Sequence, residues 1–258
     1  MRKISIIIPS YNEEKRIGRT MESYLNYFNT LKKQRILDFE LIIVINNTKD
    51  NSRKIIYNFK DESLKVLDFE KGGKGFAVME GFKEALKGSS DLIGFVDADM
   101  STAPESFYDL VEKIGKAGGA IAGRYSKGAS VYPKQSLARI ISSRMYNSVI
   151  RALLLIPYRD TQCGAKLFSR EALKRTINEM GMTKWAFDVE LIYKIRKKGY
   201  QIKEIPTKWS NQDYSTINFM KSGPWMVLGI IRLRLLNSYF RFLVRIYDKI
   251  MERIRRFL

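Results

Sequence analysis

Two aspartates, Asp97 and Asp99, close the apolar run GFVDAD. On an extended backbone, side chains at i and i+2 point the same way, so both carboxylates can approach one cation. A hard divalent ion such as Mg²⁺ or Mn²⁺ prefers oxygen ligands and commonly combines one or two carboxylates with a substrate's phosphates. Taken alone the pair is a weak signal, because two aspartates also open turns and cap helices. The chain holds no histidine and one cysteine, Cys163. That removes histidine bases, histidine metal sites, the Ser-His-Asp triad, an intrachain disulfide and any thiolate cluster. A single cysteine is compatible with a reducing compartment.

The cations form the second set. The net charge is +19, from 46 Lys and Arg against 27 Asp and Glu in 258 residues, and such a field attracts nucleic acid, anionic lipid or phosphorylated substrates. Between 122 and 151 lie Arg124, Lys134, Arg139, Ser142, Ser143, Arg144 and Arg151. On a helix, Arg139 and Ser143 share one face, and a guanidinium matches phosphate oxygens bidentately. The competing reading is a solvated basic helix face. In KGGKGFAV, 71–78, glycines let successive N–H groups aim at an anion and Lys74 adds charge. This segment lacks the Walker spacing and the full GxGxxG pattern, and it also reads as a turn opening a helix at Gly75.

The elements that must carry these residues are legible as patterns. Short, often β-branched apolar runs at 4–8, 41–45, 64–69 and 92–96 predict strands buried on both faces. Helical patterns at 13–33, 50–59, 75–86 and 104–116 alternate with them, so a mostly parallel sheet with right-handed crossovers is expected. Segment 119–123 adds a strand, 135–155 and 184–198 read as helices, and 200–205 as another strand. Ligands in such sheets bind beyond the carboxyl ends of the strands, where Pro9-Ser10-Tyr11-Asn12-Glu13, Asn46-Asn47-Thr48 and Asp97-Ala98-Asp99 fall. The length suits one core, read as a catalytic domain over 1–210 and an appendage over 211–258, with a polar loop at 209–224. No run reaches the roughly 18 apolar residues of a spanning helix; the best, 225–236, is broken by Arg232 and Arg234. No signal peptide is read at the start of the chain. Tyr239, Leu243, Ile246, Ile250, Ile254 and Phe257 recur at helical spacing opposite Arg241, Arg245, Lys249, Glu252 and Arg256. That predicts an amphipathic helix lying in a membrane interface, with anionic headgroups adding about 1 kcal/mol per nearby cation. The competing reading is a helix packed on the catalytic domain or a partner.

Six segments occur in one order across nearly the whole chain: IIIPSYNEE (6–14), KGGKGFAV (71–78), GFVDADMST (94–102), AGRY (122–125), RDTQCGAKLF (159–168) and WAFDVELIYKIRKKGY (185–200). In these the sequence resembles the family 2 glycosyltransferases, in the branch of dolichyl-phosphate glucose and mannose synthases, with the last two most similar to the UDP-glucose-using members. The resemblance implies a GT-A (Rossmann-like) α/β fold, a mostly parallel sheet flanked by helices, to which the spacing at the C-terminus adds amphipathic interfacial helices. It implies a UDP-sugar or GDP-sugar donor, a polyprenyl or dolichyl phosphate acceptor, and Mg²⁺ or Mn²⁺. Pro9, Tyr11 and Glu13 would hold the base and ribose, Ile45 and Asn47 would lie under the base, and Asp97, Ala98 and Asp99 would surround the diphosphate and metal. Ser101 falls where some relatives place a third metal ligand. Lys71 and Lys74 would border the pocket, with Asp160 and Gln162 shaping it. Arg124, Arg139 and Ser143 would bind the lipid phosphate. Asp188 lies where other members place a base for hydroxyl acceptors; it deprotonates an acceptor, orients the sugar or pairs with Lys184. The sequence departs from its relatives at Asn46 and Asn47, where aspartates are usual, at Ala122, and at Thr216, which follows Ser215 where a lysine is common.

The implied reaction is an inverting displacement at the anomeric carbon. A lipid monophosphate, with its second pKa near about 6, needs positioning by cations rather than a strong base. The alternatives are a hydroxyl acceptor on a glycan with Asp188 as base, a GDP-mannose donor, and a basic nucleic-acid-binding protein. The last lacks aromatic-basic recognition motifs, and no nucleic acid is expected as partner. Cys163 reads as a packed side chain, and the protein is expected to sit peripherally on the cytoplasmic face of a membrane.

Overall fold

The computed structural model describes residues 1–181, 186–210 and 219–257. Strands β1 (Arg2–Ser10), β2 (Leu37–Asn46), β3 (Leu64–Phe69) and β4 (Leu92–Phe95) alternate with helices α1 (Ile17–Lys33), α2 (Ser52–Asn58), α3 (Lys74–Ala85) and α4 (Pro104–Lys113). Then follow β5 (Gly119–Gly123), β6 (Ser130–Tyr132), α5 (Leu137–Leu154), β7 (Lys166–Ser169), α6 (Arg170–Thr176), α7 (Phe187–Lys197), β8 (Ile202–Pro206), β9 (Lys208–Ser210), α8 (Phe219–Leu236) and α9 (Val244–Phe257). Seven strands form one sheet in the order β3-β2-β1-β4-β7-β5-β8. The pairings are parallel except at β7, which runs antiparallel to both β4 and β5. A second sheet pairs β6 with β9.

The expected parallel sheet is present, and the isoleucine runs explain why it is covered on both faces. Ile6, Ile8, Ile43 and Ile45 pack with Met21, Phe28, Phe107 and Leu110 of α1 and α4. The alternate residues Ile7, Ile42 and Val44 pack with Val78 and Phe82 of α3 and Leu191 and Ile195 of α7. Successive side chains of one strand thus feed opposite layers, and each buried aliphatic contributes about 1.5–3 kcal/mol.

Three sequence expectations need correction. Helix α1 begins at Ile17, not near 13, because the N–H groups of Arg16 and Ile17 both turn back onto the Glu13 carbonyl at 2.9 Å. The expected loop over 209–224 is bracketed by structure: β9 runs to Ser210 and α8 starts at Phe219, while 211–218, including Ser215 and Thr216, lie outside the described residues. The single C-terminal amphipathic helix is broken, with a 3-10 turn at Arg241–Leu243 before α9. Helix α8 buries Met226, Ile230 and Leu233 in the core layer of α3 and α7. Helix α9 docks on α8 through a Tyr247 Oη hydrogen bond to the Leu228 carbonyl at 2.8 Å and a bidentate Arg232–Asp248 pair at 2.8 and 3.0 Å, and its Val244 and Met251 are buried. Ile246 and Ile250 stay exposed. Among the described residues, no helix is long and apolar enough to cross a membrane.

Candidate functional site

A cleft of ≈ 760 Å³ opens at the carboxyl ends of β1, β2 and β4, a volume suited to a cofactor-sized ligand. Its walls bring together Pro9, Tyr11, Glu13, Asn47, Lys74, Asp97, Ala98, Asp99, Ser101, Arg124, Arg139, Ser143 and Gln162. Of the residues that the resemblance places at the site, four are not on the wall. Ile45 is wholly buried in the core beneath it, Lys71 lies over the Phe76 ring at 4.7 Å, and Asp160 and Asp188 are held in ion pairs with Arg124 and Lys166.

At the end nearest β1 and β2, Tyr11 is exposed and Glu13 pairs with Arg16 at 2.6 Å. Burial raises the Glu13 pKa; Arg16 pulls it down, and Asp99 and Asp97 push it up again, leaving it above its ordinary value. Arg16 also lines the cleft and was not singled out from sequence. Asn46 donates from Nδ2 to the Ser10 carbonyl at 2.9 Å and accepts from the Gly73 N–H at 3.1 Å. An aspartate could not donate, so the Asn46 amide staples β1, β2 and the glycine turn together. Gly73 opens α3 at φ 123, a conformation that glycine adopts without strain.

The carboxylate pair follows β4. Asp97 Oδ1 meets Lys74 Nζ at 2.6 Å. Burial raises the Asp97 pKa, Lys74 opposes this, Asp99 adds to it, and the net shift is upward. For Lys74, burial works downward, but Asp97 and Asp188 outweigh it and the ammonium is held charged. Asp99 accepts from the Ser101 N–H at 2.9 Å. The Ser101 Oγ is buried with no hydrogen-bond partner, an arrangement that costs about 1–3 kcal/mol unless a ligand fills it. Among the described residues no three His, Cys, Asp or Glu side chains gather as a metal cage. Two carboxylates and one orphaned hydroxyl nevertheless fit an ion that takes its remaining oxygens from a substrate diphosphate. The backbone of Gly164 closes over this pair: a Cβ there would overlap Asp97 Oδ2.

At the far end the guanidinium of Arg124 grips the buried Asp160 through Nε at 2.7 Å and Nη2 at 2.9 Å, and its backbone N–H adds a third bond at 3.0 Å. Burial would raise the Asp160 pKa, but Arg124 holds it below its ordinary value. Asp160 therefore shapes the cleft through Arg124 and through the Gln162 N–H, which donates to its Oδ1 at 3.2 Å. Burial and the neighbouring charge of Arg124 both lower the Arg139 pKa. Ser143 is buried on the same face of α5, and the Gln162 Nε2 is buried without a partner.

Asp188 pairs with Lys166 of β7 at 2.7 Å; Lys184, its partner in one reading of the sequence, lies outside the described residues. Lys166 is fully buried and also donates to the Cys163 carbonyl at 2.6 Å. Burial would raise the Asp188 pKa, but Lys166 and then Lys74 hold it below its ordinary value. A carboxylate so held is a poor proton acceptor at neutral pH. Glu190 faces elsewhere, accepting from the Gly181 N–H at 2.7 Å. Cys163 is buried and its thiol is pushed up to about 11, first by burial and then by Asp160, which marks it as packing rather than nucleophile.

Chemically, the cleft offers acidic oxygens and a lysine at the strand ends, and guanidinium and hydroxyl groups from β5 and α5. A family model described as Glycosyl transferase family 2 matches residues 5–177. A dolichyl-phosphate beta-glucosyltransferase of Dictyostelium discoideum is 29% identical over 256 residues, covering 95% of this chain and 76% of that protein. The Homo sapiens protein of the same name is 28% identical over 255 residues, covering 93% and 78%. Among solved structures, a glucosyl-3-phosphoglycerate synthase from Mycobacterium tuberculosis, crystallised with Mn²⁺, uridine diphosphate and phosphoglyceric acid, superposes with a TM-score of 0.65 at 18% identity, covering 91% of this chain and 78% of that one. A mannosyl-3-phosphoglycerate synthase from Rubrobacter xylanophilus gives 0.65 at 14% identity, covering 93% and 75%. At such identities the likeness establishes the GT-A type of fold.

Proposed function

The chain belongs to glycosyl transferase family 2 and is a glycosyltransferase, and we propose that it moves glucose from UDP-glucose onto a dolichyl-type polyprenyl phosphate with inversion at the anomeric carbon. The names of its relatives support glucose as the sugar and dolichyl phosphate as the acceptor, and the uridine diphosphate bound to the Mycobacterium tuberculosis structure supports the nucleotide. The observation that carries the reading is the pairing of Asp188 with buried Lys166, which leaves the carboxylate read as the candidate base engaged, beside a cleft rich in cations. An ionised phosphate acceptor needs that combination. A hydroxyl acceptor would need the base.

In this reading Pro9, Tyr11, Glu13 and Asn47 hold the nucleotide, while Lys74 and the glycine turn face the diphosphate. Asp97, Asp99 and Ser101 would hold Mg²⁺ or Mn²⁺, which when bound supplies Lewis-acid neutralisation of the departing diphosphate. Gln162 orients the sugar, and Asp188, fixed by Lys166, keeps the wall behind it ionised. Arg139 and Ser143, with Arg124 braced on Asp160, place the acceptor phosphate. Its oxygen attacks C1, the bond from C1 to the diphosphate oxygen breaks, and UDP leaves with the electron pair. No proton has to be removed. In this reading residues 1–210 form the catalytic domain, and 211–258 supply the acceptor loop and the membrane-interface helices.

The proposed seat is peripheral, on the cytoplasmic face of a membrane, and its peripheral character accords with α5. Its Leu137, Ile141 and Met145 are 77%, 57% and 64% exposed and form one ridge at i, i+4 and i+8, beside the face that carries Ser143 into the cleft. Arg144 and Arg151 on the same helix suit an anionic surface. Changing all three ridge residues to serine is expected to weaken co-sedimentation with phosphatidylserine vesicles about 10-fold or more while leaving UDP affinity intact. Unchanged vesicle binding contradicts the placement. The function itself is tested by offering UDP-glucose, UDP-galactose and GDP-mannose with either a polyprenyl phosphate or the free polyprenol. UDP-glucose with the phosphate is expected to turn over, and preference for the alcohol overturns the reading.

A further inference from the structure

We infer that Trp209 is a positioning residue for the acceptor anion, its indole holding the Arg124 and Arg139 guanidiniums while its backbone ties them to the loop that carries Asp97 and Asp99. This rests on the reading that the two arginines face the acceptor phosphate.

The indole is nearly buried at the cleft wall. The Arg124 guanidinium carbon lies 5.2 Å from its ring centroid and that of Arg139 lies 6.0 Å away. Both distances fall within reach of the attraction between a cation and an aromatic face, which is strongest for tryptophan. Two guanidiniums brought this close repel, and the neighbouring Arg124 does push the Arg139 pKa down. Asp160 balances Arg124 from one side, and the shared π-face offsets the remaining cost of holding two cations together before an anion arrives.

The backbone carries the second half of the role. Trp209 pairs with Val131 across the small sheet and bridges Thr102. Next to it the Ser210 N–H donates to the Ser101 carbonyl at 2.8 Å. The strand that presents the indole is therefore bonded to the segment two residues beyond Asp99. Acceptor cations and donor carboxylates share one rigid connector, which fixes their separation, as an in-line displacement requires. The side chain and backbone roles are separable, because a substitution at Trp209 removes the π-face and keeps the strand.

The test uses the full chain loaded with UDP and Mn²⁺, with farnesyl phosphate as probe, in wild type, Trp209→Leu and Trp209→Phe. Calorimetry is expected to show farnesyl phosphate binding about 10-fold weaker in Trp209→Leu and within about 3-fold of wild type in Trp209→Phe, with UDP affinity unchanged in both. In turnover, KM for the lipid phosphate rises while KM for UDP-glucose does not. Equal farnesyl phosphate affinity in Trp209→Leu and wild type overturns the inference, as does a parallel loss of UDP affinity or a wild type that does not bind the probe. If the binding pattern holds but no polyprenyl phosphate is glycosylated, the proposed function falls and the role of Trp209 stands.

Discussion

Asp99→Ala is expected to lower glucosyl transfer about 10³-fold while leaving the melting temperature within a few degrees of wild type. The carboxylate is only partly buried and accepts locally, from the Ser101 N–H two residues on, so little folding energy depends on it. Its charge, with that of Asp97 and the orphaned Ser101 hydroxyl, is what the site offers a divalent ion. UDP titrations separate this role from a local distortion. Mn²⁺ should tighten UDP binding to wild type and not to Asp99→Ala, whose affinity should equal that of wild type in EDTA. Asp97→Ala is the less clean variant, because it strands the charge of Lys74, whose salt-bridge partner is Asp97.

The second large effect needs only one methyl group. Gly164→Ala places a Cβ where the Asp97 carboxylate sits, so either the loop or the carboxylate must move. Misplacement of about 1 Å at a reacting centre costs on the order of 10²-fold in rate, and overpacking of this kind costs about 1–3 kcal/mol in stability. Gly229→Ala is the control. Its Cβ would meet Ala186 Cβ at 3.5 Å, an ordinary contact, and inside α8 the change should stabilise by about 0.5–1 kcal/mol. Thermal melts on the two variants should therefore move in opposite directions, and only Gly164→Ala should lose turnover. A Gly164→Ala enzyme with full turnover would remove Asp97 from the reacting centre.

Much of the fold was legible because strands buried on both faces leave unbroken runs such as Ile6-Ile7-Ile8, and turns between them leave polar residues at the strand ends. Those ends became the cleft. Strand β7 was not legible as a strand: four residues carry too little periodicity, and its antiparallel insertion between β4 and β5 is a tertiary choice. The charged pairs were invisible for a related reason. Arg124 and Asp160 are 36 residues apart, and Lys166 and Asp188 are 22 apart, so in sequence each looks like a solvated charge or a ligand contact. Trp209 read as the start of a loop because its role depends on arginines from β5 and α5. At the C-terminus the apolar spacing ran on through 239–257, but the residues buried there are Val244 and Met251, with Ile246 and Ile250 left outside.

The stereochemistry of the product tests a single in-line displacement most directly. UDP-glucose, Mn²⁺ and dolichyl phosphate should give a lipid whose anomeric proton, read by NMR, reports a β-glucosyl phosphate, with one UDP released per glucose transferred. An α-linked product, or glucose joined to a hydroxyl instead of the phosphate, contradicts a single in-line attack by the lipid's own oxyanion.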